Sequence, residues 1–353
     1  MDSMIIDNNL LSNISKDYLD QDITYIFLKN RVPVHTSIML TNKCNFQCLH
    51  CYMKPLREER ENLSINQWRE ILKQVKSHGS ISLTITGGEP LLSPLFIDVY
   101  NFAYDNNFKI TIMSNLSLIT DKILALFKNK PPHKILGTIY GASDITYENF
   151  CHYYGGWGKI KNNISKLLEI KSNIELRTVL NKQNIEELSK MNKFAKDNKL
   201  KFHAYRHLDC DINGDINLKK YQINKQEIIN SFNIMDDNNQ FRHATEINKT
   251  IWKNGYKNCG AGLVACYINY NGEMHLCNQC TTPAFSLIKN NFAYCWQEIS
   301  KIRKKAIEQE TECSYCKYNI FCGKCAPIFN KEKEKNGFPF IECNNQIYED
   351  NEW

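Results

Sequence analysis

Three cysteines, Cys44, Cys48 and Cys51, follow the apolar run 34–40 with the spacing Cys-x3-Cys-x2-Cys. That spacing gathers three thiolates on one short loop and supplies no local fourth ligand. Structural zinc sites are closed by four ligands, often as two Cys-x2-Cys pairs, so a lone trio fits zinc poorly. Thiolates also select iron–sulfur clusters, and a [4Fe–4S] cube held by three cysteines leaves one iron open. An open iron is a place for a second cofactor to bind.

Downstream, Gly87-Gly88-Glu89-Pro90 closes a second apolar run, 81–86. Two residues without a Cβ let backbone approach a bound molecule closely, and the Glu89 carboxylate can pair with an ammonium. Alone, such a turn is commonplace; paired with the trio, each motif after an expected strand, it points to a cofactor site. Together with Tyr52 after the last cysteine, the combination resembles the radical S-adenosylmethionine (SAM) superfamily. The resemblance implies that the trio holds a [4Fe–4S] cluster and that Tyr52 stands beside the SAM adenine. It also implies that Gly87, Gly88, Glu89 and Pro90 contact SAM. By the same comparison, Ser114, Asn115, Thr138, Arg177 and Leu180 fall near the SAM methionine, ribose and adenine.

The elements that must position these residues are legible in the hydrophobic pattern. Strands are expected at 34–40, 81–86, 108–113, 134–140, 174–180 and 200–205. Between them, Ile65, Trp68, Ile71, Leu72 and Val75 share one helical face. So do Ile160, Ile164, Leu167 and Leu168, and Ile185, Leu188, Met191 and Ala195. Ser64 offers a cap before the first of these helices. Repeated strand–helix alternation means an α/β fold with a parallel sheet. Six units are too few for a closed eightfold barrel, so a partial (β/α)6 TIM-like barrel is expected. Both motif loops then lie at the C-terminal ends of strands, where barrel chemistry sits. The expected division is an N-terminal extension at 1–33, the barrel at 34–206, a polar bridging segment at 207–256 and a cysteine-rich iron–sulfur domain at 257–353.

At 353 residues the chain can bury one barrel and a smaller domain, and its 42% hydrophobic content is ordinary for a globular protein. The formal charge of +6 is mild, and Lys and Arg are scattered. Nucleic-acid binding is therefore disfavoured, while an acidic peptide partner is compatible. The N-terminus lacks an apolar signal core, and no run approaches about eighteen apolar residues, so a cytoplasmic protein without a membrane segment is expected. Fifteen cysteines in such a compartment read as metal ligands rather than disulfides.

The C-terminal layout is Cys259-x6-Cys266-x10-Cys277, then Cys313-x2-Cys316-x5-Cys322-x2-Cys325-x17-Cys343, with 267–272 reading as a strand into a hairpin turn. Eight thiolates would complete two [4Fe–4S] cubes, or two zinc-ribbon-like sites. The layout resembles the SPASM domain, the two-cluster extension of radical SAM enzymes that modify peptides. That resemblance assigns Cys259, Cys266, Cys277 and Cys325 to a first auxiliary cluster, and Cys313, Cys316, Cys322 and Cys343 to a second. Two residues, where many members have three, separate Cys322 from Cys325, and Cys280 competes as a ligand of the first cluster. Cys151, Cys210 and Cys295 read as plain buried cysteines, although Cys151 and Cys210 lie near strand ends and so near substrate.

The stretch from Thr138 to Ser143, then Thr146-Tyr147-Glu148 and Gly155-Gly156, resembles one found in maturases of ribosomally made peptides, though strand-to-helix packing alone could produce it. The function expected is hydrogen abstraction from a precursor peptide by a 5′-deoxyadenosyl radical, forming a thioether or carbon–carbon crosslink. The alternatives are peptide epimerisation and formylglycine formation of the anaerobic sulfatase-maturase type. The latter pattern places an Asp after the cysteine corresponding to Cys277, and Asn278 stands there instead. An amide cannot act as a general base. A non-enzymatic iron–sulfur protein would have no use for Gly87-Gly88-Glu89 beside the trio. The expected partners are the precursor peptide, recognised through a separate leader-binding protein or by the barrel rim directly, and a flavodoxin- or ferredoxin-type reductant.

Overall fold

The computed structural model describes Phe27, 30–59, 63–235, 260–308 and 326–336. Six parallel strands come first: β1 (His35–Met39), β2 (Ser82–Thr86), β3 (Lys109–Ser114), β4 (Lys134–Thr138), β5 (Ile174–Val179) and β6 (Lys201–Tyr205). Five fall inside the apolar runs, because burial of one face forces the alternation that made those runs visible, and β3 overruns its own by one residue, Ser114. A further parallel strand, β7 (Ala265–Ile268), pairs with β1 on the other side. The antiparallel strands β8 (Glu273–His275) and β9 (Phe285–Ser286) follow it, so the order is β6-β5-β4-β3-β2-β1-β7-β8-β9. The expected hairpin exists, and its first strand belongs to the barrel sheet.

Helices cover the outer face: α1 (Ile65–Ser77), α2 (Phe96–Asp105), α3 (Asp121–Asn129), α4 (Asp144–Cys151), α5 (Gly156–Glu169), α6 (Leu188–Asp197) and α7 (Lys225–Met235). The long α8 (Phe292–Glu308) and α9 (Ala326–Asn336) follow the hairpin. Ser64 caps α1 in a reciprocal box with Gln67, and Trp68, Ile71, Leu72 and Val75 are its buried face. Ile185 falls in a short 3-10 turn before α6, whose buried residues include Leu188, Met191 and Ala195. The Phe292 amide at the start of α8 donates to Gln74 of α1 at 2.8 Å, and the Phe292 ring stacks on His78. The described C-terminal elements therefore extend the barrel's own sheet and helical layer.

The two faces of the sheet differ in kind. Outward positions Ile38, Leu83, Ile85, Ile110, Ile112, Ile135 and Leu176 join one apolar core with the helices. Inward positions are Ser82, Thr84, Lys109, Thr111, Lys134, Glu175, Arg177, His203 and Tyr205, which line a cavity of about 620 Å³. A closed eight-stranded barrel fills its interior with branched apolar side chains. Here the interior is an open lumen whose lining mixes these charged and polar groups with Val34, Ile81 and Leu136.

Candidate functional site

The cysteine loop is held first by backbone. The Gly88 amide donates to the Thr41 carbonyl at 2.8 Å and the Glu89 amide to the Lys43 carbonyl at 2.9 Å. This pairing brings the Gly-Gly-Glu turn against the residues just before Cys44. A Cβ on Gly88 would stand 2.3 Å from the Lys43 carbonyl oxygen, and one on Gly87 2.4 Å from that of Thr41. The glycines thus serve loop-to-loop approach, and both also line the cavity beside the cysteine loop. Glu89 is fully buried, accepting from Ser114 Oγ at 2.9 Å, the Asn115 amide at 2.7 Å and the Leu91 amide at 3.1 Å. Burial outweighs these donors and raises its carboxyl to about 7. The group expected to meet an ammonium is engaged with the β3 loop.

Helix α4 supplies the second support. Ser143 caps it by accepting from the Thr146 amide, and its last carbonyls, Phe150 and Cys151, accept from Leu49 and Gln47 of the cysteine loop at 3.0 and 2.8 Å. Tyr147 is wholly buried; its hydroxyl accepts from the Tyr140 amide, and a Cβ on Gly156 would stand 2.6 Å from its ring. The Tyr140-to-Gly156 stretch therefore builds the helix that carries the cysteine loop. Phe46, His50, Tyr140, Tyr147, Tyr153 and Phe150 pack around it as an aromatic cluster.

Each thiol of the trio has a neighbour able to stabilise negative charge or share a proton. The Phe46 amide donates to Cys44 Sγ at 3.4 Å, and Asn115 Nδ2 approaches it at 3.9 Å. Arg57 Nη2 donates to Cys51 Sγ at 3.4 Å. Cys48 shares a hydrogen bond with Cys151. Burial nevertheless pushes the Cys44 thiol up to about 12 and raises that of Cys51. Buried thiols of this kind lose their protons on binding a metal.

The trio lines a cavity of about 180 Å³ at the C-terminal mouth, together with Asn42, His50, Tyr52, Arg57, Gly87, Gly88, Ser114, Asn115, Thr138 and Tyr140. His50 has a buried Nδ1 without a hydrogen-bond partner, and burial lowers its imidazole to about 4, so it is neutral. No group of three His, Cys, Asp or Glu converges on a single ion among the described residues. A cube places each cysteine on a different iron, so its ligands stand wider apart than those of one ion. Three thiols, an orphan imidazole nitrogen and a cradle kept clear of side chains fit such a group.

Of the residues expected near the cofactor, the mouth gathers the trio, Tyr52, Gly87, Gly88, Ser114, Asn115 and Thr138. Glu89 and Pro90 are buried behind it. Arg177 lines the lumen instead, and Leu180 is buried in the core. Arg57, His50 and Asn42 carry no motif signal; their roles depend on where the loop folds back. Asn42 Nδ2 clips that loop by donating to the carbonyls of Leu56 and Glu59 at 2.5 and 2.9 Å. Asn278 Nδ2 donates to the Tyr52 hydroxyl at 2.7 Å, which brings the C-terminal segment to the mouth.

Among the C-terminal cysteines, Cys266 on β7 is buried against Thr36, and burial raises its thiol to about 12. Cys277 is paired with Cys280, whose hydrogen bond lowers the Cys277 thiol to about 6. Cys295 and Cys210 are buried, as is Cys151. Cys259, Cys313, Cys316, Cys322, Cys325 and Cys343 lie outside the described residues.

Comparison with known proteins agrees with this geometry. The profile of the Radical SAM superfamily matches residues 38–195. An AdoMet-dependent heme synthase of Methanosarcina barkeri is 22% identical over 313 residues, 81% of this chain and 89% of that relative. The sporulation killing factor maturation protein SkfB of Bacillus subtilis is 27% identical over 162 residues, 46% of this chain and 39% of SkfB. The Streptococcus suis SuiB structure bound to precursor peptide SuiA aligns with a TM-score of 0.69 at 17% identity, covering 96% of this chain and 82% of that one. The structure of anSMEcpe with bound AdoMet aligns with a TM-score of 0.70 at 15% identity, covering 90% and 95%. The barrel, residues 38–195, is a radical SAM domain, the domain of enzymes that use SAM and a [4Fe–4S] cluster. No helix among the described residues is long and apolar enough to cross a membrane.

Proposed function

We propose that this enzyme modifies a ribosomally made precursor peptide by radical hydrogen abstraction, forming a thioether or carbon–carbon crosslink. The observation that carries the reading is the lumen: a cavity of about 620 Å³ within the sheet, with charged and apolar side chains in its lining, beside a β6 edge whose Tyr205 is 53% exposed. An extended chain can enter such a space from the side. The maturation activity in SkfB's name and the precursor peptide bound to SuiB support the same reading. The heme synthase relative keeps a tetrapyrrole substrate as a second reading.

In this proposal Cys44, Cys48 and Cys51 hold the SAM cluster, and Tyr52, Gly87, Gly88, Ser114, Asn115 and Thr138 surround SAM. The reduced cluster, when bound, supplies the electron that splits SAM to a 5′-deoxyadenosyl radical. The chain's own part is to orient SAM and to exclude water and stray hydrogen donors. Cys259, Cys266, Cys277 and Cys325 would hold one auxiliary cluster and Cys313, Cys316, Cys322 and Cys343 a second, which would supply an acceptor for the surplus electron of the product radical. Cys280 stands where it can replace a ligand of the first. The divisions at 34, 207 and 257 separate these units. A flavodoxin- or ferredoxin-type reductant, a separate leader-binding protein and a cytoplasmic setting complete the proposal.

The test is anaerobic incubation with SAM, reductant and synthetic peptides for the short open reading frames beside the gene. The expected product is lighter by about two mass units per crosslink, since two hydrogens leave per bond. Deuterium uptake from solvent at unchanged mass would make it an epimerase, an aldehyde a formylglycine-forming enzyme. Turnover of an iron-porphyrin without any peptide change would overturn the reading. The cluster assignment has its own test: alanine at all three of Cys44, Cys48 and Cys51 should abolish 5′-deoxyadenosine formation and leave auxiliary iron in place.

A further inference from the structure

The lumen holds a cationic group that the cofactor site does not use. Register places Arg177 level with Thr138 of β4 and His203 of β6, at the height where the mouth gives way to the lumen. Thr138 lines the mouth cavity, whereas Arg177 lines the lumen below it. The lumen lining carries three fixed cations, Lys109, Lys134 and Arg177, and one carboxylate, Glu175. That carboxylate is already claimed, by Lys134 at 2.7 Å and Lys201 at 3.9 Å. Arg177 and Lys109 make no side-chain hydrogen bond or ion pair with any described residue. Burial disfavours the charged form of Arg177, with Tyr205, Glu175 and Tyr140 the groups around it.

A guanidinium drawn partly out of water, with its donors unspent, is an incomplete ion pair. The fork of N–H groups matches a planar two-oxygen anion, and pairing there is stronger than in bulk water because the site is half-buried. No carboxylate among the described residues pairs with it, so its complement is assigned to a guest.

We propose that Arg177 forms a carboxylate-recognition site in the lumen that receives an acidic side chain of the peptide substrate. The site lies in the lumen rather than in the mouth, so the carboxylate it takes is the guest's and not that of the SAM methionine. It rests on the peptide reading above and adds to it a sequence requirement: Asp or Glu close to the residue that is modified. An acidic anchor at this height would hold the modified carbon under the mouth and fix which residue is presented.

The test uses the anaerobically reconstituted full chain and two synthetic peptides, acetyl-Gly-Gly-Glu-Gly-Gly-amide and its Gln counterpart, with binding followed by peptide line broadening in NMR. Wild type should bind the Glu peptide about tenfold tighter, the scale of one charge-assisted pair. Arg177→Leu should bind both peptides equally, and Arg177→Lys should keep part of the preference. SAM affinity and peptide-free 5′-deoxyadenosine formation should change less than about twofold in either variant, a margin far below a lost ion pair. Equal binding of the two peptides by wild type, or no binding of either, overturns the site. A loss of SAM affinity in Arg177→Leu at an unchanged Glu preference does so too, since the carboxylate served would then be SAM's. A Glu preference without modification of any neighbouring precursor would leave this site standing and remove the maturase reading alone.

Discussion

The mouth and the lumen of this barrel lie one above the other, yet they are built on opposite terms. At the mouth, His50 Nδ1 apart, the polar groups are paired within the chain: Glu89 with Ser114 and Asn115, Asn42 with the 56 and 59 carbonyls, Tyr52 with Asn278. In the lumen Arg177 and Lys109 have no hydrogen-bond or ion-pair partner among the described residues. A group that is always the same can be met by a rigid cradle. A guest that varies along its length is met by space and by charge left unspent. The contrast teaches where to look for constancy and where for specificity.

The largest expected effect tests that rigidity. Gly88→Ala puts a Cβ against the Lys43 carbonyl, a backbone clash that no rotamer relieves. Most SAM-cluster iron should be lost on reconstitution, and 5′-deoxyadenosine formation with it. Lys109→Gln in the lumen should leave both unchanged; equal losses in the two variants would erase the contrast. Next is Tyr147→Ala, which empties a fully buried ring from under the cysteine loop and should cost about 3–5 kcal/mol in chemical denaturation.

Glu89 makes the mouth sensitive to pH. Its folded carboxyl, at about 7, lies above the ordinary 4.5, so its contribution is complete below 4.5 and lost as pH rises through 7. Relative to Glu89→Gln, wild type should therefore lose roughly 3 kcal/mol of stability across that window and nothing further above it. A flat difference would mean the carboxylate is satisfied as an anion. Arg57→Leu removes the cation beside Cys51 and should make the SAM cluster harder to reduce in a redox titration, because a donor to ligand sulfur favours the reduced state. Ser64→Ala, remote from both cavities, should cost only about 1 kcal/mol through its lost cap, with cluster content untouched.

Much of this molecule was legible in one dimension. Strands and helices announced themselves because a buried face imposes period two or period 3.6 on the chain, and the trio announced itself because ligands of one cluster are spaced by the loop that carries them. The sequence by itself therefore determined the order of the elements, the cysteine loop and the turn that meets it. What only the tertiary structure decided is which groups are spent. Gly87 and Gly88 proved to face the backbone of Thr41 and Lys43, Cys151 proved to stand beside Cys48, and β7 joined β1 from more than two hundred residues away. Arg177 lines the lumen, a placement that its position in the sequence does not show. Contacts between segments distant in sequence depend on how strands register, and register is set by the whole sheet at once.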